Sequence, residues 1–331
     1  MTYFQYWGKA RPSGDALLPY HLLPYHCLDV AAVGQSWWDK SPVIRHALAQ
    51  DAPQERVCAW TLFFLALHDL GKFDIRFQLK ARDALKTLRP DFDFYAVNIK
   101  DSDNYYHGPA GYAWFAKDYA TLFGKPQLQN QMHFERWKEW LAPVAGHHGI
   151  VPRHGQGSAI DGRFAMDTVK AQDRFARLEW FKALEELFLT PPGFSLQDIP
   201  PPASPLLAGF CAVCDWLGSN AQSGFFEYDD KPHNVLRDYW ESRLPIAKKA
   251  LAMAGLVQAP LHAGSFATLY DLKARQVQTL VDNLPLTPSL TLIEAPTGSG
   301  KTEAALAYAS RLLAAGLAES VVFALPTPGH G

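Results

Sequence analysis

The chain has 331 residues, 48% of them hydrophobic and 13% aromatic, about twice the length of an ordinary domain and apolar enough for substantial cores. Its 31 Lys plus Arg against 33 Asp plus Glu leave a net charge of -2, which neither supports nor excludes nucleic-acid binding, because acidic surface elsewhere can cancel a basic groove. Four cysteines do not make a disulfide framework, and no apolar run approaches the roughly 18 residues needed to cross a bilayer. The first residues, MTYFQYWGKARPSG, lack the apolar stretch of a secretory signal, so a cytoplasmic location with no membrane partner is the expectation.

From about Tyr20 to Trp240 the apolar positions recur at helical spacing. The segments VCAWTLFFLALHDL, GPAGYAWFAKDYATLF, RFARLEWFKALEELFL and SPLLAGFCAVCDWLGS each carry a wide apolar face and few β-branched runs, which predicts an all-helical domain over residues 1–245. The Pro-rich stretch TPPGFSLQDIPPPASP (190–205) reads as a long loop inside that domain, because the apolar segment after it needs an existing core; Ser204 or Pro205 is expected to open the next helix. Residues 246–288 are weakly patterned and predict a connecting segment. Two β-like runs, SLTLIEA (289–295) and SVVFALPT (320–327), then flank the helix KTEAALAYASRLLAAG, the opening of an α/β unit over 289–331. The expected fold class is mainly α, a helical domain followed by an incomplete α/β segment.

Five of the 12 histidines stand in stretches built to present them: His26 in LLPYHCLDVAAVG, His68 in LALHDLGK, His107 in NYYHGPAGYAWF, and His147 with His148 in PVAGHHGI. Asp69 and the Asp215 of CAVCDWLGS complete the set. Both lie in segments apolar enough to be buried, where an unpaired carboxylate is costly and a metal or a cation should neutralise it. So many imidazoles without a carboxylate-rich loop point to transition metals (Mn, Fe, Co, Ni or Zn) rather than calcium. A mixed set of this size suits two ions, one aspartate bridging them. A single histidine on an apolar helix is more often a hydrogen-bonded core residue, and His21, His46, His133, His154, His233, His262 and His330 are read that way. Cys211 and Cys214 are read as small residues on the Asp215 helix, since no second CxxC completes a zinc site.

Lys72 follows His68 by four residues, and Arg76 and Lys80 repeat that spacing, which predicts three cations along one helical face leading from the site. They could guide a single strand's backbone, with Phe73, Phe77 or Trp216 as stacking surfaces. The alternative is a solvated basic face over core aromatics.

The order of these motifs resembles the HD phosphohydrolases. In detail, HCLDVAAVG, LHDLGKFDIRFQ, HGPAGYAWF, GHHG and AGFCAVCDWLGS resemble the HD nuclease domain of the type I CRISPR-associated helicase-nucleases, type I-E above the other subtypes. The resemblance implies that His26, His68, Asp69 and Asp215 hold one metal ion, and that His107, His147 and His148 hold a second bridged by Asp69. It places Lys72 and Ser219 beside the metals, in contact with the scissile phosphate. It also implies the substrate, single-stranded DNA, and the partner, the R-loop of the RNA-guided surveillance complex (Cascade). The chemistry would be metal-assisted phosphodiester hydrolysis, with no side-chain nucleophile needed.

APTGSGKT (295–302) follows a strand-like run and opens a helix, the context a phosphate-binding loop requires. The amides around Gly298 and Gly300 would cradle the phosphates of Mg-ATP, Lys301 would reach the β and γ groups, and Thr302 would hold magnesium. Ala295 in place of the motif's first glycine resembles superfamily 2 helicases, whose adenine-reading glutamine falls on Gln276. ALPTPGHG resembles the next helicase motif through Thr327 and then departs from it, and no Asp-Glu box follows. A truncated helicase segment without ATP hydrolysis of its own is therefore expected. Two other readings stay open: an HD phosphohydrolase acting on free nucleotides, which would have no use for the phosphate loop, and a non-catalytic module that docks on the surveillance complex.

Overall fold

A computed structural model describes residues 1–11, 18–98, 102–124, 128–153, 164–233, 235–257, 265–287, 289–318 and 320–322. The chain separates into two compact units, residues 1–40 with 44–254, and residues 41–43 with 255–331. A short antiparallel hairpin comes first, β1 (Trp7–Ala10) with β2 (Tyr20–Leu22), followed by helices α1 (Leu23–Lys40), α2 (Pro42–Ala49), α3 (Gln54–Leu65), α4 (Ile75–Gln78), α5 (Arg82–Leu88), α6 (His107–Phe123), α7 (Leu128–Ala145), α8 (Asp167–Leu184), α9 (Leu207–Gly218) and α10 (Leu236–Met253). The second unit contains α11 (Phe266–Tyr270), α12 (Gln276–Asp282) and α13 (Lys301–Ala314).

The first unit is mainly α, as the apolar periodicity predicts. Its central helix is α1, buried along almost its whole length from Leu23 to Trp38 and packed by α3, α9 and α10. A helix apolar all round has to sit inside others, and LLPYHCLDVAAVG is such a sequence. Beside it, Trp60, Phe63 and Phe64 of α3 meet Trp137 of α7, Phe115 of α6 and Phe181 of α8, with Trp137 stacked on Phe115 at 5.6 Å between ring centroids. Aromatic pairs of this kind add about 0.5–1.5 kcal/mol each beyond the area they bury, which makes this cluster a stiff base for the turn that follows α3.

The Pro-rich stretch 190–205 is a loop within the first unit. It is held by backbone carbonyls that accept hydrogen bonds from a buried tryptophan and a half-buried arginine: Trp140 Nε1 to Pro201 at 2.7 Å and Arg56 Nη2 to Ile199 at 2.6 Å. Helix α9 opens at Leu207, two residues later than the sequence suggests, with the Leu207 amide donating to the Ser204 carbonyl at 3.1 Å. Helix α10 runs across position 245, with Pro245 inside it.

Three readings need correction. The hairpin lies in residues assigned to an all-helical domain; strands of four and three residues are too short for alternation to register. Its outer edge is completed by buried Gln78, whose amide exchanges hydrogen bonds with Trp7 N and O at 3.0 and 3.1 Å in place of a third strand. The β-like run 289–295 forms no strand, and neither do residues 320–322; residues 323–327 lie outside the described residues. Strand propensity is expressed only when a neighbour supplies the ladder, and no such neighbour is present among the described residues. The cation row is not one helical face either. Leu70–Lys72 is a 3-10 turn, Ile75–Gln78 a single turn of α-helix and Leu79–Ala81 another 3-10 turn.

Candidate metal centre

The stretch FFLALHDLGKF divides at Leu65, where α3 ends. Ala66 to Asp69 form turns, so His68 and Asp69 leave the helix end in different directions toward the same interior point. The next turn is pressed against the start of α6. A Cβ built on Gly71 would lie 1.9 Å from the His107 carbonyl oxygen and 2.7 Å from the Gly111 amide nitrogen. Glycine is needed there for contact between two backbones, and that contact brings Asp69 to His107. Gly108 does the same on the far side, where a Cβ would meet the Ala145 carbonyl at 2.4 Å, joining α6 to the end of α7 that carries His147 and His148. His26 comes from α1 and Asp215 from α9.

All seven sequence-selected residues converge. His26 Nε2 stands 3.1 Å from Asp69 Oδ2 and 3.2 Å from Asp215 Oδ1. His68 Nε2 is 3.2 Å from Asp69 Oδ2 and 3.3 Å from His26 Nε2. On the other carboxylate oxygen, His107 Nε2 stands 3.1 Å from Asp69 Oδ1 and His147 Nε2 3.9 Å. His147 Nε2 is also 3.9 Å from Asp215 Oδ2, and the His147 and His148 rings are 4.1 Å apart. Ligand atoms of three triplets lie within 4.8 Å of one another: His26, His68 and Asp69; His68, His147 and Asp215; and His107, His147 and His148. Asp69 therefore sits between two groups of imidazoles, with one oxygen turned toward each.

These contacts are close but mostly not hydrogen bonds. Both oxygens of Asp69 are buried and accept no aligned hydrogen bond, His107 Nε2 has none, and yet all lie at contact distance. A carboxylate buried in that condition costs several kcal/mol unless something positive occupies the space between the atoms. The ring nitrogens on the outer side are tied: His68 Nδ1 donates to the Leu65 carbonyl at 2.8 Å and His147 Nδ1 to the Val144 carbonyl at 2.6 Å. That leaves Nε2 of each ring as a lone pair aimed inward, the usual support for a metal-binding imidazole. The donor set fits transition-metal ions on these grounds.

Burial, with the nearby Lys9 charge, lowers His26 to about 4, and burial with the His68 charge lowers His147 to about 3, so both rings are neutral at physiological pH. Burial also lowers His107. For Asp69 burial acts to raise the pKa, but the charges of His68, Lys72 and His107 more than reverse it and hold the group ionised well below the usual carboxylate range. Asp215 is held low in the same way, against its burial, by the hydrogen bond and charge of His26. Neutral His26 and His147 rings beside ionised Asp69 and Asp215 match the protonation state that metal binding requires.

Lys72 Nζ lies 2.5 Å from Asp69 Oδ2 and donates to the Gly8 carbonyl at 3.0 Å. Ser219 Oγ donates to Asp215 Oδ1 at 2.9 Å. Both sequence-selected neighbours are therefore at the cluster. The expected row of free cations is not there, and of the three aromatic rings only Trp216 is largely exposed. Arg76 is buried, paired with Asp74 at 2.7 Å and stacked on Phe164, and Lys80 donates to the Tyr105 carbonyl at 2.8 Å. Phe73 is fully buried. Phe77 packs edge-on against His107 at 5.4 Å, and Trp216, beside Asp215, is 71% exposed. Sequence reasoning missed Lys9 on β1, whose Nζ stands 3.6 Å from Asp215 Oδ1. A lysine in a short hairpin carries no pattern that would have marked it. Cys211 and Cys214 are buried thiols, with Cys211 Sγ 3.8 Å from the Val144 carbonyl, and His21 and His133 are bound to Asp29 and Tyr119 as core residues.

In the second unit the phosphate loop turns at Gly298 and Gly300, with φ of 77° and 88°, and α13 starts at Lys301 followed by Thr302. Lys301 Nζ is folded back on the Ala295 and Pro296 carbonyls at 2.6 and 2.9 Å. The glutamine that meets this loop is Gln278, whose Nε2 is 3.3 Å from the Gly300 carbonyl; a Cβ on Gly300 would collide with it at 2.1 Å. Gln276 is exposed at the first position of α12, two residues before Gln278 and so about 200° round the helix from the face that turns to the loop.

A helical domain that gathers an HD dipeptide with distant histidines and a distant aspartate is of the HD type. The model of the Cas3 HD domain family matches residues 7–223. The chain is 43% identical, over 97% of its own length, to the CRISPR-associated endonuclease/helicase Cas3 of Escherichia coli, and spans 38% of that relative's length. The fold superposes with a TM-score of 0.65 on the crystal structure of a CRISPR-associated protein at 26% identity, covering 95% of this chain and 34% of that one. It also matches a chain of a pre-nicking CRISPR RNA-guided surveillance complex at a TM-score of 0.55 and 24% identity, covering 94% and 35%, a likeness of fold. The chain belongs to the Cas3 HD domain family.

Proposed function

We propose that the chain is a metal-dependent nuclease that hydrolyses phosphodiester bonds of single-stranded DNA in CRISPR antiviral interference. The observation that carries this reading is Asp69: a fully buried, ionised carboxylate whose oxygens accept no aligned hydrogen bond, with the Lys72 ammonium beside Oδ2 and imidazole nitrogens facing each oxygen. Membership of a family whose E. coli relative is named an endonuclease/helicase supports a nucleic-acid phosphodiester as the target.

In this reading His26, His68, Asp69 and Asp215 hold one divalent ion, and His107, His147 and His148 hold a second with Asp69 shared. Ions of Mn, Co, Ni or Fe would activate water near neutral pH and offset charge on the phosphate. The chain's own residues do the rest. The Leu65 and Val144 carbonyls keep His68 and His147 oriented. Lys72, with its ammonium fixed between Asp69 and the Gly8 carbonyl, meets the phosphate's negative charge. Ser219 holds Asp215 by its hydroxyl and stands where a phosphate oxygen would arrive. The surveillance complex (Cascade) and its R-loop are the proposed source of the single strand, a reading supported by the structural neighbour from such a complex. The phosphate loop, through Gly298, Gly300, Lys301 and Thr302, is proposed as a Mg-ATP subsite.

The test is to incubate the protein with manganese or cobalt and circular single-stranded DNA, and in parallel with deoxynucleoside triphosphates. Cut circles are expected. Release of phosphate groups from the triphosphates alone would replace this reading with a nucleotide phosphohydrolase, and silence in both would replace it with a docking module.

A further inference from the structure

Lys9 occupies a position that the cluster's chemistry does not otherwise use. Its side chain is 26% exposed where that of Lys72 is 6%, so it stands on the outer wall of the centre, between the buried ligands and solvent. It shares Asp215 Oδ1 with His26 Nε2 and the Ser219 hydroxyl, at 3.6, 3.2 and 2.9 Å. It is not carried on a loose arm. The hairpin beneath it is tied on one edge to β2, with Lys9 opposite His21, and on the other to the buried amide of Gln78.

The charges of the centre say what such a residue is for. Lys9 and Lys72 stand against Asp215 and Asp69, two cations against two carboxylates, so every divalent ion the cluster would take up leaves it with an excess of positive charge. A largely buried excess of one sign is offset by a counter-charge from outside. An anion is therefore the ligand this wall is built to meet.

The direction in which it extends is set by strand geometry. Alternation along β1 puts residue 11 on the same face as residue 9, a separation of about 6.6–6.8 Å for two strand residues. Arg11 continues the ladder, its amide donating to the Pro19 carbonyl at 2.8 Å, and its guanidinium stacks on the Tyr228 ring at 4.3 Å. Lys72 and Lys9 stand at the carboxylates, and Arg11, two residues along the chain from Lys9, lies over the Tyr228 ring. Cations beside an aromatic face are what a single strand's backbone and bases bind.

We propose that Lys9 is a substrate-contacting residue of the centre, its ammonium taking a phosphate oxygen of the bound DNA strand, with Arg11 taking the neighbouring phosphate and β1 serving as the track along which the strand reaches the metals. The inference rests on the nuclease reading above. It replaces the track expected along Arg76 and Lys80, both of which are committed to other partners.

The experiment compares the wild-type chain, Lys9→Met, Lys9→Arg and Arg11→Met, each loaded with manganese. Four quantities are measured: metal content per chain, thermal midpoint, the dissociation constant of a phosphorothioate single-stranded oligonucleotide at several salt concentrations, and KM and kcat on single-stranded DNA. Lys9→Met is expected to keep the metal content and midpoint, to weaken oligonucleotide binding and raise KM roughly tenfold, and to reduce the slope of log affinity against log salt by about 0.7, the loss of one phosphate contact. Lys9→Arg should restore most of the affinity, and Arg11→Met should show a smaller loss of the same kind. Unchanged affinity and salt slope in Lys9→Met overturns the proposal. So does loss of metal from Lys9→Met, which would make Lys9 a support for Asp215 alone. If the wild-type chain binds the strand without cutting it and Lys9→Met still weakens that binding, the nuclease reading fails while the strand contact stands.

Discussion

Replacing Asp69 by Asn tests the centre with almost no change of shape. In the native chain the carboxylate faces His26 and His68 through one oxygen and His107 through the other, and it is paired with Lys72 at 2.5 Å. Two costs follow. The binding energy of a four-ligand transition-metal site is on the order of 10–16 kcal/mol, about 2.5–4 kcal/mol per ligand, so loss of one anionic ligand should weaken each ion that uses it by about 10²–10³-fold. Because Asp69 is shared, both ions should be lost together at micromolar metal. In the metal-free protein the substitution leaves the buried Lys72 ammonium with neutral acceptors only, the Gly8 carbonyl and the new amide oxygen, and breaking a buried ion pair costs up to about 3–5 kcal/mol. The assay is elemental analysis after gel filtration, calorimetric titration with manganese, and a denaturation curve of the metal-free form. Cleavage of circular single-stranded DNA should vanish in parallel with metal content. A variant that keeps two ions at native affinity would refute the placement of Asp69 between them.

Three further outcomes can be measured on the same protein. Chelation should abolish cleavage and lower the thermal midpoint, and added manganese or cobalt should restore both, since an ion at 100 times its dissociation constant stabilises the folded state by about 2.7 kcal/mol. Gly71→Ala should push the 69–72 turn away from α6, costing about 1–3 kcal/mol in a denaturant titration and separating Asp69 from His107, so that manganese affinity falls although no ligand has changed; native affinity would show that the contact does not set the site. In the metal-free protein, His26 and His147 stay neutral in the fold down to about 4 and about 3, whereas the unfolded chain protonates them from the ordinary value of 6.5 downward. The unfolded state then binds more protons, and stability should fall as pH drops from about 6.5 to about 4; a flat denaturation midpoint across that window contradicts the burial assigned to these rings.

What could be read from the sequence follows from how local each cause is. The long helices were legible because a wide apolar face repeats every turn, and α1 and the α3 segment are so apolar that they can only be central. The seven residues of the candidate cluster were legible by composition: His and Asp are expensive in apolar segments, and they stand out there alone or in adjacent pairs. The turn at Gly298 and Gly300 that opens α13 was legible because its glycines stand together directly before the helix. The β1–β2 hairpin was not, being too short to show a period, and with it Lys9 was missed. The row Lys72, Arg76 and Lys80 was misread because helical spacing was assumed where the chain breaks into three short turns, which send Arg76 inward to Asp74. Gln276 and Gln278 could not be separated by spacing alone, since only the packing of α12 against the loop shows which one meets Gly300.

The sequence by itself determined which side chains could bind metal, and that they come from segments as far apart as residues 26 and 215. Only the tertiary structure decided that they meet, which oxygen of Asp69 faces which histidines, and which cations stand beside the carboxylates. The physical reason is that ligand type is a property of a residue, whereas convergence depends on backbones far apart in sequence approaching closely, as at Gly71 against His107 and Gly108 against Ala145. A glycine in the sequence does not announce what it will touch.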